Sequence, residues 1–325
     1  MEKAYKINDV KGYDDFVKSN NANFFYQRFW LEFLEENSKN PTYLYTEKDK
    51  KIKSFLGLSS EESDYYIMPR WVADNVFVKD DIDEFIKEFY KLNSDSVIFE
   101  NISKKQAEMF EKKGFIIYPA YVHPELRFSS MTEFWNIVGA SRRKSFKKII
   151  NKAKIEGLEI VNVSSEDDIK EYFLLEKETM KRNNAVASPL EYWRSIYEKV
   201  PEKQLLSLLV KKGAHVIAGR ISFIDKNKIF NYRGVSFEKF QKYHPNDYLM
   251  LHIIEEASKR KIHIIGLGAS SINNSGSYLF KKKFSNDERF LWSAVYPLNE
   301  KSKKKWMKIS KIHLDRMKEF SHPNN

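Results

Sequence analysis

The run from Lys228 to Phe284, KIFNYRGVSFEKFQKYHPNDYLMLHIIEEASKRKIHIIGLGASSINNSGSYLFKKKF, constrains the fold more than any other part of the chain. Ile229 to Val235 is β-prone and follows the turn DKNK. Asn246 to Lys259 starts with an Asn that reads as an N-cap, and its first two turns are apolar at Leu249, Met250, Leu251, Ile253 and Ile254. That pattern predicts a buried helix. Ile262 to Leu267 is a short apolar run closed by Gly266 and Gly268, as a buried parallel strand would be. A strand, helix and parallel strand joined this tightly predict a right-handed crossover, which aims the helix N-terminus and both strand ends at one place. Anions and acyl carriers bind at such places. A basic turn, Lys281 to Lys283, closes the run.

The rest of the chain repeats this order of elements. In the first half, Tyr43 to Tyr45 and Ile52 to Leu58 flank the charged turn EKDKK as a β-hairpin. Asp80 and Asp81 open a helix with Ile82, Phe85, Ile86 and Phe89 on one face. A strand from Val97 to Phe99, a helix from Ser103 to Lys113 and a strand from Phe115 to Tyr118 follow, with Gly114 ending the helix. The second half offers a helix from Ser165 to Lys181 and strands near Leu205 to Val210, Val216 to Ile224 and Ile229 to Val235. The chain therefore reads as internally duplicated. Ahead of the first half, Phe24 to Glu35 is aromatic at helical spacing and predicts one packed helix. Lys301 to Phe320, with Trp306, Ile309, Met317 and Phe320 at near-helical spacing, predicts a terminal helix.

Composition narrows the functional classes. With 325 residues, 42% hydrophobic and 15% aromatic, the chain builds substantial cores. Without cysteine it has no disulfides, no thiol catalysis and no thiolate zinc site, and the 7 histidines show no paired metal spacing. No apolar run approaches the ~20 residues that span a bilayer, so a soluble, cytoplasmic protein is expected. A net charge of +11 favours an anionic partner. Much of it lies on Ser141 to Lys154, a basic helix carrying Arg142, Arg143, Lys147 and Lys148. It is either an anion-binding ridge for polyphosphate or an RNA backbone, or a solvated connecting helix.

The motifs of the Lys228 to Phe284 run resemble those of the FemABX-like branch of the GNAT acyltransferases. In that family a Y-x-x-G-x-S strand precedes a Pro-Asn helix start, and Tyr232, Ser236, Pro245 and Asn246 take those places, with Gly234 one residue early. The family's D-x-G and G-x-x-x-F-K-x-x-F-G signatures correspond to Gly266-Leu267-Gly268 and to Gly276 to Ser285. Upstream, Gln27 and Trp30 match a Gln and Trp pair, and Thr179, Arg182 and Pro189 match a T-x-x-R segment ahead of a proline. Three departures stand out. Gly266 replaces the Asp, Ser285 replaces the last Gly, and the pyrophosphate loop Q-x-x-G-x-G reads Gln241 to Asn246 with His244 and Asn246 at its glycines.

The resemblance implies an α/β fold of two tandem GNAT-like lobes, each a mixed, mostly antiparallel sheet with flanking helices. The lobes are expected at residues 1–140 and 141–299, with a helix at 300–325 returning to the first. It implies N-acyl transfer from acyl-CoA (acetyl-CoA) or aminoacyl-tRNA to an amine of a small molecule or envelope precursor, tRNA being a partner in the second case. The lost loop glycines argue against coenzyme A, and the lack of the paired-helix arm found in some bridge enzymes argues against a large tRNA-specific role. The alternative is a noncatalytic basic protein that binds anions or RNA and keeps the GNAT fold. Lys281 is expected to stabilise the oxyanion or hold the carrier's phosphates; as an alternative it belongs to an exposed basic turn. Substrate contacts are expected from Arg182, Tyr232, Asn246 and Gly268, and anion contacts from Arg142, Arg143, Lys147 and Lys148. Arg182 either clamps a substrate phosphate or offsets a helix dipole. No metal is expected.

Overall fold

The computed structural model describes residues 1–63, 66–271 and 276–321. The chain divides into two units, Met1–His123 with Ala269–Tyr278 and Arg289–Asn325, and Pro124–Gly268 with Leu279–Glu288. Both are α/β and both follow one plan. In the second unit the strands Leu158–Asn162, Leu205–Lys212, His215–Asp225 and Lys228–Ser236 form an antiparallel meander. The helix Pro245–Lys259 then leads to Ile264–Gly266, which pairs parallel to Lys228–Ser236. The end of the strand Ile116–Arg127 adds on antiparallel.

The first unit repeats the plan with Lys39–Lys48, Lys51–Ser63 and Tyr66–Phe77, then the helix Ile82–Phe89, then Ser96–Ile102 parallel to Tyr66–Phe77 and Asp287–Pro297 antiparallel to Ser96–Ile102. The duplication read from the sequence is thus one of topology: a meander, a crossover helix, a parallel strand and an antiparallel neighbour, twice.

Local chemistry explains the elements. Asp49 and Lys50, both in the left-handed region at φ 53° and 60°, close the first hairpin as a two-residue turn whose twist suits the flanking strands. The helix Lys104–Glu111 begins with a capping box of Ser103 and Gln106. Asp81 stands at the start of Ile82–Phe89 but does not cap it; its carboxylate accepts from Ser54 Oγ at 2.6 Å and from Thr46 Oγ1. The single aromatic helix expected from Phe24 to Glu35 is two pieces, a 3₁₀ turn Phe24–Tyr26 and a helix Arg28–Asn37. Asn23 caps the turn, and Gln27, with ψ 145°, is extended and breaks the run.

The helix Pro245–Lys259 is apolar almost all round because it is covered twice, by the sheet and by the helix Gly139–Ile155. Leu249, Met250, Ile253 and Ile254 are completely buried, each stabilising the fold by about 1.5–3 kcal/mol. Gly139–Ile155 buries Phe146, Ile149 and Ala153 beneath its basic face. The terminal helix Glu300–Ser321 belongs to the first unit, where Trp306 stacks on Tyr118 at 6.1 Å; residues 322–325 of the expected helix lie outside the described residues. Among the described residues no helix is long and apolar enough to cross a membrane.

Candidate active site

In the second unit the two parallel strands part company soon after they meet. Lys228, Ile229 and Phe230 pair with Ile264, Ile265 and Gly266, and the pairing ends there. The longer strand runs on to Ser236, so among the described residues 231–236 have no strand partner on that side. Two features mark the point of parting. A register shift between Asn231 and Arg233 against the neighbouring strand makes Tyr232 a bulge, which bends the strand. On the other side Gly268 takes φ +84°, and a Cβ there would lie 3.2 Å from the Asn231 carbonyl oxygen. Asn231 is itself fixed, accepting from Ser222 Oγ at 2.9 Å and donating to Met250 Sδ at 3.2 Å.

Lys281 stands at this opening. The expected basic turn starts as the end of a helix, Gly276–Lys282, with Lys283 in the turn just past it, and its three lysines point differently. Lys282 and Lys283 reach carboxylates, Glu288 at 2.6 Å and Asp247 at 3.1 Å. Lys281 Nζ donates to the Gly268 carbonyl at 3.1 Å. Burial, with the nearby charge of Arg220 adding to it, pulls the Lys281 ammonium down to about 8. The lysine helix is held from below: Phe284, completely buried, stacks on Phe146 at 4.9 Å, and Arg142 Nη1 donates to the Lys282 carbonyl at 3.3 Å.

A second cluster closes the far end of the long strand at Ser236. Its N–H donates to Thr179 Oγ1 at 3.0 Å, its carbonyl accepts from Arg182 Nη1 at 3.2 Å, and its hydroxyl accepts from Asn246 Nδ2 at 2.9 Å. Asn246 is therefore not the expected N-cap. His244, left-handed at φ 53°, holds that place, Pro245 follows, and the helix has no side-chain cap. Its first turn keeps its positive end and the N–H groups of Asn246 and Asp247 without a capping side chain.

The other expected residues have partners of their own or face solvent. The Tyr232 hydroxyl meets that of Tyr192, and its ring packs on Phe223 at 4.9 Å. Burial pushes its hydroxyl well above the ordinary tyrosine range. Arg143 donates to the Trp135 carbonyl at 2.7 Å, while Lys147 and Lys148 are exposed.

Sequence reading missed two buried charged groups. Glu176, completely buried, accepts from Arg233 Nη1 at 2.7 Å; burial raises its carboxyl above the usual range, and Arg233 opposes the rise. Its place at helical spacing with Ile169, Tyr172 and Thr179 was a usable signal, since all four share the buried face. Arg220 interrupts the apolar run of the strand His215–Asp225 and faces Gly234 of the next strand. Among the described residues no group of three or more His, Asp or Glu is arranged to hold a metal.

Residues 140–282 match the acetyltransferase (GNAT) domain family. No curated protein sequence matches the chain. Among solved structures, FemX aligns over 95% of this chain and 100% of its own, with TM-score 0.66 and 13% identity. L-PGS from Bacillus licheniformis aligns over 96% and 98%, with TM-score 0.65 and 12% identity. A tandem GNAT protein from the clavulanic acid biosynthesis pathway aligns over 92% and 99%, with TM-score 0.60 and 8% identity. At these identities the likeness is one of fold. Residues 140–282 thus match the GNAT acetyltransferase domain family, within a chain that carries the FemABX-like tandem GNAT fold.

Proposed function

We propose that this chain is an N-acyltransferase that moves an acyl or aminoacyl group from an activated carrier to the amine of a small molecule or cell-envelope precursor. The observation that carries the reading is the parting of the parallel strands with Lys281 placed on Gly268 at the opening. An acyl group laid between the strands meets backbone groups that no strand partner occupies among the described residues. Its carbonyl oxygen becomes an anion as the amine attacks, and the Lys281 ammonium is placed to stabilise that charge. Bringing the two reactants into one opening supplies much of the remaining acceleration.

The donor on this reading is acyl-CoA or aminoacyl-tRNA. The helix start at Pro245 supports the second. Proline offers no N–H, and His244 and Asn246 fill the places where loop glycines bring backbone close to a pyrophosphate. FemX and L-PGS share the fold, which agrees with aminoacyl transfer. Arg182, Tyr232, Asn246 and Gly268 are assigned to the substrate, and Lys147 and Lys148 with Arg142 and Arg143 to the anionic carrier. The noncatalytic alternative is not favoured, because the matched domain retains its opening and its lysine.

The test is label transfer. Purified protein is incubated with labelled acetyl-CoA or with charged tRNA and a panel of amines, and products are separated by mass. Amide product from either donor class, absent with Lys281→Ala, supports the reading. Amide formation that is equal with and without the protein, for both donors, refutes it.

A further inference from the structure

We propose that Arg220 and Lys281 form a two-cation cradle for one anionic oxygen group, a carboxylate or a phosphate, on a substrate bound at the strand opening. The proposal rests on the acyltransfer reading for its location and adds to it the kind of group the substrate must carry.

Arg220 is the observation behind it. The residue is 8% exposed, and its Nε makes no hydrogen bond. Among the described residues the guanidinium has no ion pair and no hydrogen bond; it rests over the Phe280 ring, 5.7 Å from its centre. The nearby groups that answer its charge are engaged elsewhere. Asp247 is bonded to Lys283 at 3.1 Å, and the Tyr172 hydroxyl donates to the Arg233 carbonyl at 3.2 Å. A buried arginine is ordinarily paired, because an uncompensated charge out of water is costly. This one instead lies near a second cation, Lys281, with which it interacts unfavourably.

The fold makes room for this arrangement. Arg220 sits directly across from Gly234, and a Cβ on Gly234 would fall 2.5 Å from Nη2 and 2.7 Å from Cζ. Gly234 thus lets the guanidinium lie across the long strand, in the stretch beyond Phe230 that has no parallel partner among the described residues. Five N–H donors in a planar fork suit a carboxylate or phosphate held in two places. An anion bound there turns an unfavourable pair of cations into a favourable triad.

Thermal unfolding and titration calorimetry with two probes, inorganic phosphate and acetate, decide the matter without any acyl donor. Wild type should be stabilised saturably by one of them, phosphate pointing to a carrier's phosphate and acetate to a substrate carboxylate. Arg220→Met should weaken that binding at least about tenfold, keep the far-ultraviolet dichroism of wild type and, without anion, melt at a higher temperature than wild type. A Lys304→Gln, Lys308→Gln control, at exposed positions of the terminal helix, should bind as wild type does. Should Arg220→Met fail to fold, Arg220→Lys, which keeps the charge and loses the fork, is expected to bind about tenfold more weakly. No saturable response to either probe, or a response that survives in the folded Arg220 variant, overturns the proposal. Anion binding without acyl transfer would refute the function proposed above and leave the cradle standing; acyl transfer without an anion response would do the reverse.

Discussion

Gly234→Ala tests whether the glycine exists to seat the Arg220 guanidinium. The added methyl would lie 2.5 Å from Nη2, 2.7 Å from Cζ and 3.1 Å from Nη1. Comfortable contact needs roughly 3.5–4.0 Å, so the guanidinium must retreat by about 1 Å or more. Arg220 has little freedom to do so, being buried against Phe280. Overpacking of this kind costs about 1–3 kcal/mol, against which a strand alanine gains about 0.5–1 kcal/mol over glycine. The net expectation is a loss of up to about 2.5 kcal/mol in the wild-type background. In an Arg220→Ala background the obstacle is gone, and Gly234→Ala should be neutral or slightly stabilising. Urea denaturation of the four proteins then gives a coupling energy of about 1–3 kcal/mol. Strict additivity, with Gly234→Ala costing the same in both backgrounds, would refute the reasoning.

Three further outcomes follow from the geometry. Because burial lowers Lys281 to about 8 from 10.5, the unfolded chain binds more protons between those values; the fold should gain stability as pH rises across that window, and Lys281→Met should flatten the gain in urea midpoints. Arg142→Gln, which loses the bond to the end of the lysine helix, should lower turnover by more than it lowers stability, read as kcat against urea midpoint, because it loosens Lys281 without emptying the core. Replacing the exposed Lys147 and Lys148 by Gln should weaken binding of charged tRNA and reduce its salt slope by about one to two, measured by filter binding across a salt series; an unchanged slope makes this face a plain connector.

The elements that sequence shows clearly are those with one dominant cause. The helix Pro245–Lys259 is written in its apolar turns, and the hairpin at Asp49 in its charged turn between alternating runs. The tandem α/β plan followed from the order of such elements. Less legible was anything decided by a distant partner. Asn246 looks like a cap because Asn caps helices, but Ser236 claims its side chain and His244 takes the cap position. Lys281 to Lys283 look alike in sequence; the helix end and the turn after it send one to a backbone carbonyl and two to carboxylates. Gly234 was read only as a displaced motif glycine. Its function as space for Arg220 depends on cross-strand register, which a bulge at Tyr232 shifts and which no local pattern reveals.

The most direct test of the central claim is the turnover of Lys281→Ala and Lys281→Arg with the donor that wild type uses. If the ammonium stabilises charge that grows in the transition state, Lys281→Ala should lower kcat by about a hundredfold or more with the fold intact, and Lys281→Arg should recover only part of it. A Lys281→Ala protein that turns over as fast as wild type would contradict the account.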